Sequence, residues 1–172
     1  MNYGLLAWGT KSEQIFRQQK KAIRLVNLQT ATAHTEPLFK MMNHLKLMDL
    51  YKSKLLILYY KLYRNQLPHY FEQFLPQYGT SRYPLRYDGL HMPHATREFC
   101  SVNAKYQMHY LLREISHPTN INDPGIINND SPLETTILSF SQPQFANYIK
   151  IAYLESYQLN CNLQNCINNC NN

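Results

Sequence analysis

No apolar run in this 172-residue chain approaches the roughly 18–20 residues a membrane-spanning helix requires. The longest, Leu55–Tyr60, is six residues held between Lys54 and Lys61. Glycine is scarce, at 5 residues, which excludes a collagen-like or glycine-linker chain. The opening stretch from Met1 to Gly9 has no basic start and no long apolar core, so no secretory signal is expected. Four cysteines, three of them crowded near the C-terminal end, are too few for a disulfide framework. Without an export signal they read as reduced thiols of an intracellular protein, cytoplasmic or nuclear. The sequence also lacks a nucleophile elbow, a glycine-rich phosphate loop and an H-E-x-x-H pair, and nothing in it asks for a cofactor.

What is present is a basic, tyrosine-rich chain: 44% hydrophobic residues, 14 tyrosines, and 17 Lys and Arg against 11 Asp and Glu, for a net charge of +6. Its length fits one domain able to bury a substantial core. The charge is uneven. Residues 1–64 hold 11 basic and 3 acidic residues, whereas residues 117–172 hold 1 and 4. A basic front of this kind points to a polyanionic partner, against the plainer alternative of a lysine-rich solvated face.

The pattern predicts a mainly α chain, a small helical bundle with an irregular Pro/Gly-containing middle segment and a flexible C-terminal tail. Residues 3–8 read as the end of an apolar helix, with Gly9 as a C-cap free to take positive φ. Ser12–Leu28 is the clearest amphipathic helix, with Ser12 as N-cap and Glu13 in the first turn. At about 100° per residue, Ile15, Ala22 and Val26 cluster, flanked by Phe16 and Ile23, and form the expected packing face. Arg17, Lys20, Lys21 and Arg24 gather opposite. Thr35-Glu36-Pro37 is a helix start. A third helix is expected from near Asp49 to Arg64, and Leu47, Tyr51, Leu55, Leu58 and Leu62 form a helical stripe, with Lys54 and Lys61 on its flank. A short helix follows Leu67-Pro68.

The chain divides into a basic helical region at 1–76, an irregular segment and helix at 77–116, a linker at 117–132, a terminal helix within 133–159 and an Asn/Cys-rich tail at 160–172. Pro76, Gly79, Pro84, Gly89 and Pro93 break any helix between 76 and 98. Ser101–Ile115 reads as helix or strand. The last helix is expected at about Gln144–Tyr157. The tail holds seven asparagines and three cysteines in 13 residues.

A family resemblance goes further. Tyr3-Gly4, Trp8-Gly9, Gln19-Lys20-Lys21-Ala22-Ile23-Arg24 and His34-Thr35-Glu36-Pro37-Leu38-Phe39 follow one another in order. Then come Leu45-Lys46-Leu47, Asp49-Leu50-Tyr51, Tyr60-Lys61-Leu62, Leu67-Pro68 and Tyr70-Phe71. This succession resembles the region just after the polymerase core in reverse transcriptases of non-LTR retrotransposons, LINE-like elements of the jockey kind. The likeness is dense over residues 3–71 and sparse beyond. It implies a segment of an RNA-directed DNA polymerase. That polymerase needs clustered palm carboxylates holding two metal ions, whereas Asp49, Asp88, Asp123 and Asp130 are scattered and none is adjacent to another. The expectation is therefore a truncated remnant, with Met1 just ahead of the first motif and no catalysis of its own. Tyr3, Leu5, Leu6 and Trp8 are expected to pack on the missing upstream polymerase thumb.

Under the resemblance, Arg17, Lys20, Lys21 and Arg24, with Lys54 and Lys61, become the expected contacts to an RNA or RNA–DNA duplex. Cations at i, i+3, i+4 and i+7 follow phosphates without reading sequence. Tyr59, Tyr60 and Tyr63, interleaved with Lys61 and Arg64, suggest base stacking, though on a helix most such rings belong to the core. The alternative function is a helical module that binds protein through the Leu47–Leu62 stripe. Cys161, Cys166 and Cys170 form a C-x4-C-x3-C tail. A closed zinc site needs four ligands, so this tail would have to borrow one from Cys100 or a histidine; His91-Met92-Pro93-His94 is a separate and weaker loop candidate, and no structural metal is expected.

Overall fold

The computed structural model describes residues 4–9, 12–75, 103–116 and 133–157. They form seven α-helices and one 3-10 helix, with no strand among them. The helices are α1 Leu5–Trp8, α2 Glu13–Val26, α3 Glu36–Met41, α4 Leu47–Tyr63, α5 Ala104–Ser116, α6 Leu133–Ser139 and α7 Gln142–Ser156, with the 3-10 helix His69–Phe74 after α4. The chain is mainly helical, as its periodicity predicts.

Helix α4 is the hub. It packs against α1, α2, α5, α7 and the 3-10 helix. A helix covered on most sides has to be apolar on most sides, and α4 buries Leu47, Tyr51, Ser53, Leu55, Leu56, Tyr59, Tyr60 and Leu62. The Leu47–Leu62 stripe is thus interior, and it offers no surface for a protein partner. Around it lie Leu5, Ile23, Phe39, Met108, Leu111, Leu112, Ile137, Phe145, Ile149 and Tyr153. Tyr60 stacks on Phe145 with centroids 5.1 Å apart, and its hydroxyl donates to the Phe140 carbonyl at 2.9 Å. Tyr59 and Tyr60 are core residues, which removes them from any base-stacking role.

The N-terminal end departs from expectation in three details, each for a physical reason, although Gly9 is the C-cap of α1 and Ser12 the N-cap of α2 as expected. Leu5 is buried in this chain's own core and Leu6 packs against it, because α1 seats on α4; no external thumb is needed to cover Leu5. Gly9 does not adopt positive φ. It lies in the right-handed region at φ −59°, and glycine is required there by closeness instead: an added Cβ would fall on the Tyr51 ring, 2.8 Å from Cγ and Cε2 and nearer still to Cδ2. Ser12 stands at the N-cap position of α2 but makes no capping bond. Its buried hydroxyl donates to the Gly9 carbonyl at 2.6 Å, tying α1 to α2.

Helix α4 begins two residues before Asp49 because distant side chains satisfy its first amides. A helix start leaves several N–H groups without internal partners. Here Gln19 Oε1 accepts from the Leu47 N–H at 2.9 Å, and the Tyr157 hydroxyl accepts from the Lys46 N–H at 3.0 Å. The same hydroxyl donates to Asp49 Oδ2. In an ordinary capping box the third-position side chain reaches the N-cap amide directly; Asp49 reaches it through Tyr157. Lys46 lies 4.4 Å over the Tyr157 ring and pairs with Glu36, while Lys40 Nζ donates to the Tyr157 carbonyl at 3.3 Å. Together these contacts latch the end of α7 to α3 and α4.

Three helices stop in the same way. Leu28, Asn43 and Asn65 take left-handed φ of 52°, 54° and 52° just past α2, α3 and α4. In each case the next amide reaches back five residues: Gln29 to the Arg24 carbonyl, His44 to Phe39, and Gln66 to Lys61, at 2.8–2.9 Å. This is the Schellman arrangement, which favours glycine or asparagine at the left-handed position. Leu28 is neither. Leu28→Gly is expected to stabilise the fold by about 0.5–1 kcal/mol, read from the midpoint of chemical denaturation.

The C-terminal part of the bundle holds two helices where one is expected. Ser141 starts α7, and Gln144 Oε1 accepts from its backbone N–H at 2.9 Å, with Pro143 in the first turn. The segment read as helix or strand is helical, as α5. The expectations for the irregular middle, the linker and the tail, with Cys100, Cys161, Cys166, Cys170, His91 and His94, lie outside the described residues, as do Tyr3 and the Trp8 side chain.

Candidate nucleic-acid interface

Helix α2 spans Glu13–Val26, within a residue or two of the expected Ser12–Leu28. Its orientation differs from expectation. The side that packs runs through Ser12, Phe16, Gln19, Ile23 and Asn27, a 4-3-4-4 spacing, of which Ser12 and Ile23 are buried and the others half-buried. Ile15, Ala22 and Val26, expected to pack, are exposed. The reason is Gln19. Its amide nitrogen donates to the Leu45 carbonyl at 3.0 Å while its oxygen caps Leu47. One polar side chain with two buried obligations turns the helix away from its most apolar side. Asn27, two turns on, also faces inward: its amide nitrogen donates to Met42 Sδ at 3.0 Å as well as to the Ile23 carbonyl at 2.7 Å.

The four cations of α2 fall on an adjacent side, and the structure treats them unequally. Lys21 is exposed and has no ion pair or hydrogen bond among the described residues. Arg17 pairs with Glu13 one turn earlier at 2.6 Å, with both side chains exposed. Such pairs contribute only about 0.3–0.5 kcal/mol, so the guanidinium remains open to a stronger anion. Lys20 lies half-buried with its ammonium 4.6 Å over the Phe16 ring. Arg24 Nε donates to the Ala33 carbonyl at 2.7 Å. That bond uses one of five N–H donors and leaves the terminal nitrogens of the fork. Arg17 and Arg24 are separated by about 10 Å along the helix axis.

Lys54 and Lys61 are half-buried on the less covered side of α4, also without an ion pair or hydrogen bond among the described residues. No hydrogen bond or ion pair among the described residues joins them to the α2 stripe. The hydrogen bonds between α2 and α4 lie at the first turn of α4, through Gln19 and through Ser12 beside Met48. From Leu47, Lys54 is about 10 Å further along the axis and Lys61 about 20 Å. Arg64, next in line, donates to the Leu138 and Phe140 carbonyls at 3.1 and 3.2 Å and closes the C-terminal end of α6.

Asp49 serves the fold. Desolvation raises its pKa above the ordinary 3.8, opposed by the Tyr157 hydroxyl and by Lys46 and Lys52. Among the described residues no three His, Cys, Asp or Glu side chains come together as metal ligands, and no helix is long and apolar enough to cross a membrane. Gln19 and Tyr157, which hold the helices around the site, are side chains that sequence reading missed. The signal for Gln19 was its place between Phe16 and Ile23, on the spacing of the packed side. Comparison with known proteins finds no matching family model, no matching curated protein and no matching solved structure.

Proposed function

We propose that the chain is a segment of a non-LTR retrotransposon reverse transcriptase, from the region after the polymerase core, that binds RNA or an RNA–DNA duplex without reading sequence. In this reading it works inside the cell, in the cytoplasm or nucleus, and carries no polymerase chemistry of its own. The order of motifs from Tyr3-Gly4 to Tyr70-Phe71 supports the family. The cationic side of α2 supports the activity: Arg17 and Lys21 are exposed, and Lys20 and Arg24 border them on one unshared side of a helix carrying a single carboxylate. Point charges on a rigid helix meet phosphates irrespective of base identity.

The test is duplex binding as a function of salt. Each phosphate neutralised adds roughly 0.7–0.9 to the slope of log affinity against log salt. Lys20→Ala with Lys21→Ala is expected to flatten that slope by about one to two units, equally for unrelated sequences. Helicity should hold, since alanine is the better helix former. An unchanged slope with intact helicity would leave this reading without a site.

A further inference from the structure

Helix α2 has a third side. Beyond the cations, and away from the packed residues, Ile15, Ala22, Leu25 and Val26 face outward, and Leu28 follows just past the helix end. Leu25 is 74% exposed, Val26 66%, Ile15 38% and Leu28 93%. Apolar side chains scattered singly over a surface need no explanation; a contiguous set does. Leu28 supplies a second observation. It holds a left-handed conformation that costs a branched residue roughly 1–2 kcal/mol, and it buries nothing in return. The two equivalent positions carry Asn43 and Asn65. The left-handed turn ends α2, but nothing in that role calls for leucine, and an exposed leucine there directs attention to what lies outside the fold.

We propose that this strip, Ile15, Ala22, Leu25, Val26 and Leu28, docks an acidic amphipathic helix of a partner protein. Charge selects the occupant. Lys21 borders the strip one turn before Leu25, with Arg17 beyond it, and α2 carries four cations against Glu13 alone; a partner with carboxylates beside its leucines meets both features at once. The same charge opposes a second copy of this chain, because two α2 helices face to face would set a net +3 against a net +3. Gln14 and Gln18 lie exposed on the same side. A bilayer interior gives an amide no hydrogen-bond partner, whereas the carboxylates of an acidic helix accept from both. The inference goes beyond duplex binding and occupies a different side of α2.

The probe is a synthetic 18-residue amphipathic peptide of leucine and glutamate, fluorescently labelled and titrated with the full chain. Saturable binding is expected, weakened at least tenfold by Leu25→Ser with Val26→Ser and several-fold by Lys21→Glu. It should be unaffected by Met41→Ser, an exposed apolar control on α3. The same peptide with lysine for glutamate should not bind. These side chains are exposed, and unchanged circular dichroism confirms that each variant folds. Binding that survives Leu25→Ser with Val26→Ser would overturn the proposal, as would absence of binding by the parent chain. So would dimerisation of the chain, or sedimentation with phosphatidylserine vesicles, if either is lost in that variant. Duplex affinity, measured in parallel, should be unchanged by Leu25→Ser with Val26→Ser, so this proposal and the duplex reading fail on separate results.

Discussion

Gly9→Ala is expected to destabilise the fold by about 2–3 kcal/mol, lowering the denaturation midpoint with helical content preserved below it. Backbone reasoning alone gives the opposite sign. Gly9 sits at φ −59° and ψ −27°, a conformation alanine adopts freely, and such a replacement ordinarily stabilises by about 0.4–1 kcal/mol. The difference is the Tyr51 ring, which occupies the place a Cβ would take. Tyr51 cannot move aside easily. It is 3% exposed on the most enclosed helix of the bundle, and its hydroxyl finds no partner among the described residues. Burial pushes that hydroxyl's pKa up to about 12, so it stays neutral and contributes volume rather than charge. Combining Gly9→Ala with Tyr51→Leu should recover part of the loss. Additive effects of the two changes would show that the pair is not in contact.

Tyr157→Phe is expected to cost about 2–3 kcal/mol near neutral pH, although it removes a single oxygen. That oxygen accepts from the Lys46 amide and donates to Asp49, so its loss leaves one donor and one partly desolvated carboxylate without their partner. The cost should depend on pH in a defined direction. In the folded protein the Asp49 pKa already lies above 3.8, with desolvation the largest cause and the Tyr157 hydrogen bond acting against it. A carboxyl whose folded pKa is raised contributes stability below its unfolded pKa and loses that contribution as pH rises through the folded value. Without the hydroxyl the folded pKa rises further and the loss grows. The penalty of Tyr157→Phe should therefore be smallest below about pH 4, increase as Asp49 ionises, and then level off. A penalty independent of pH would remove Asp49 from the account. Tyr157 itself stays protonated throughout, since burial and the neighbouring carboxylate raise its pKa well above the usual range.

The sequence made the helices legible and their faces less so. Helices α2 and α4 show in the spacing of Phe16 and Ile23 and of Leu47, Tyr51, Leu55 and Leu62, because burial imposes that period wherever a helix meets a core. The side of α2 that packs was hidden, because Gln19 and Asn27 point inward for hydrogen bonds and a hydrophobicity pattern reads both as outward. The start of α4 was hidden for a related reason: its amides are satisfied from residues 28 and 111 positions away, beyond any local capping rule. The role of Gly9 could not be read either, since a close approach of two elements leaves no mark on the sequence of either one. At the candidate interface the cations and their common side were legible. Their unequal freedom was not, as it depends on Glu13, Phe16 and the Ala33 carbonyl.

The borrowed start of α4 has a consequence for how the molecule comes together. The hub of the bundle cannot complete its own first turn by local contacts; one amide waits for α2 and the next for the residue that ends α7. Loop closure over such separations is entropically expensive and slow compared with helix formation within a segment. The centre of α4 can therefore take shape early on local propensity, while its N-terminal turn is among the last parts to set. In that sense the hub has a time order built along its length, early in the middle and late at the end where both halves of the chain meet.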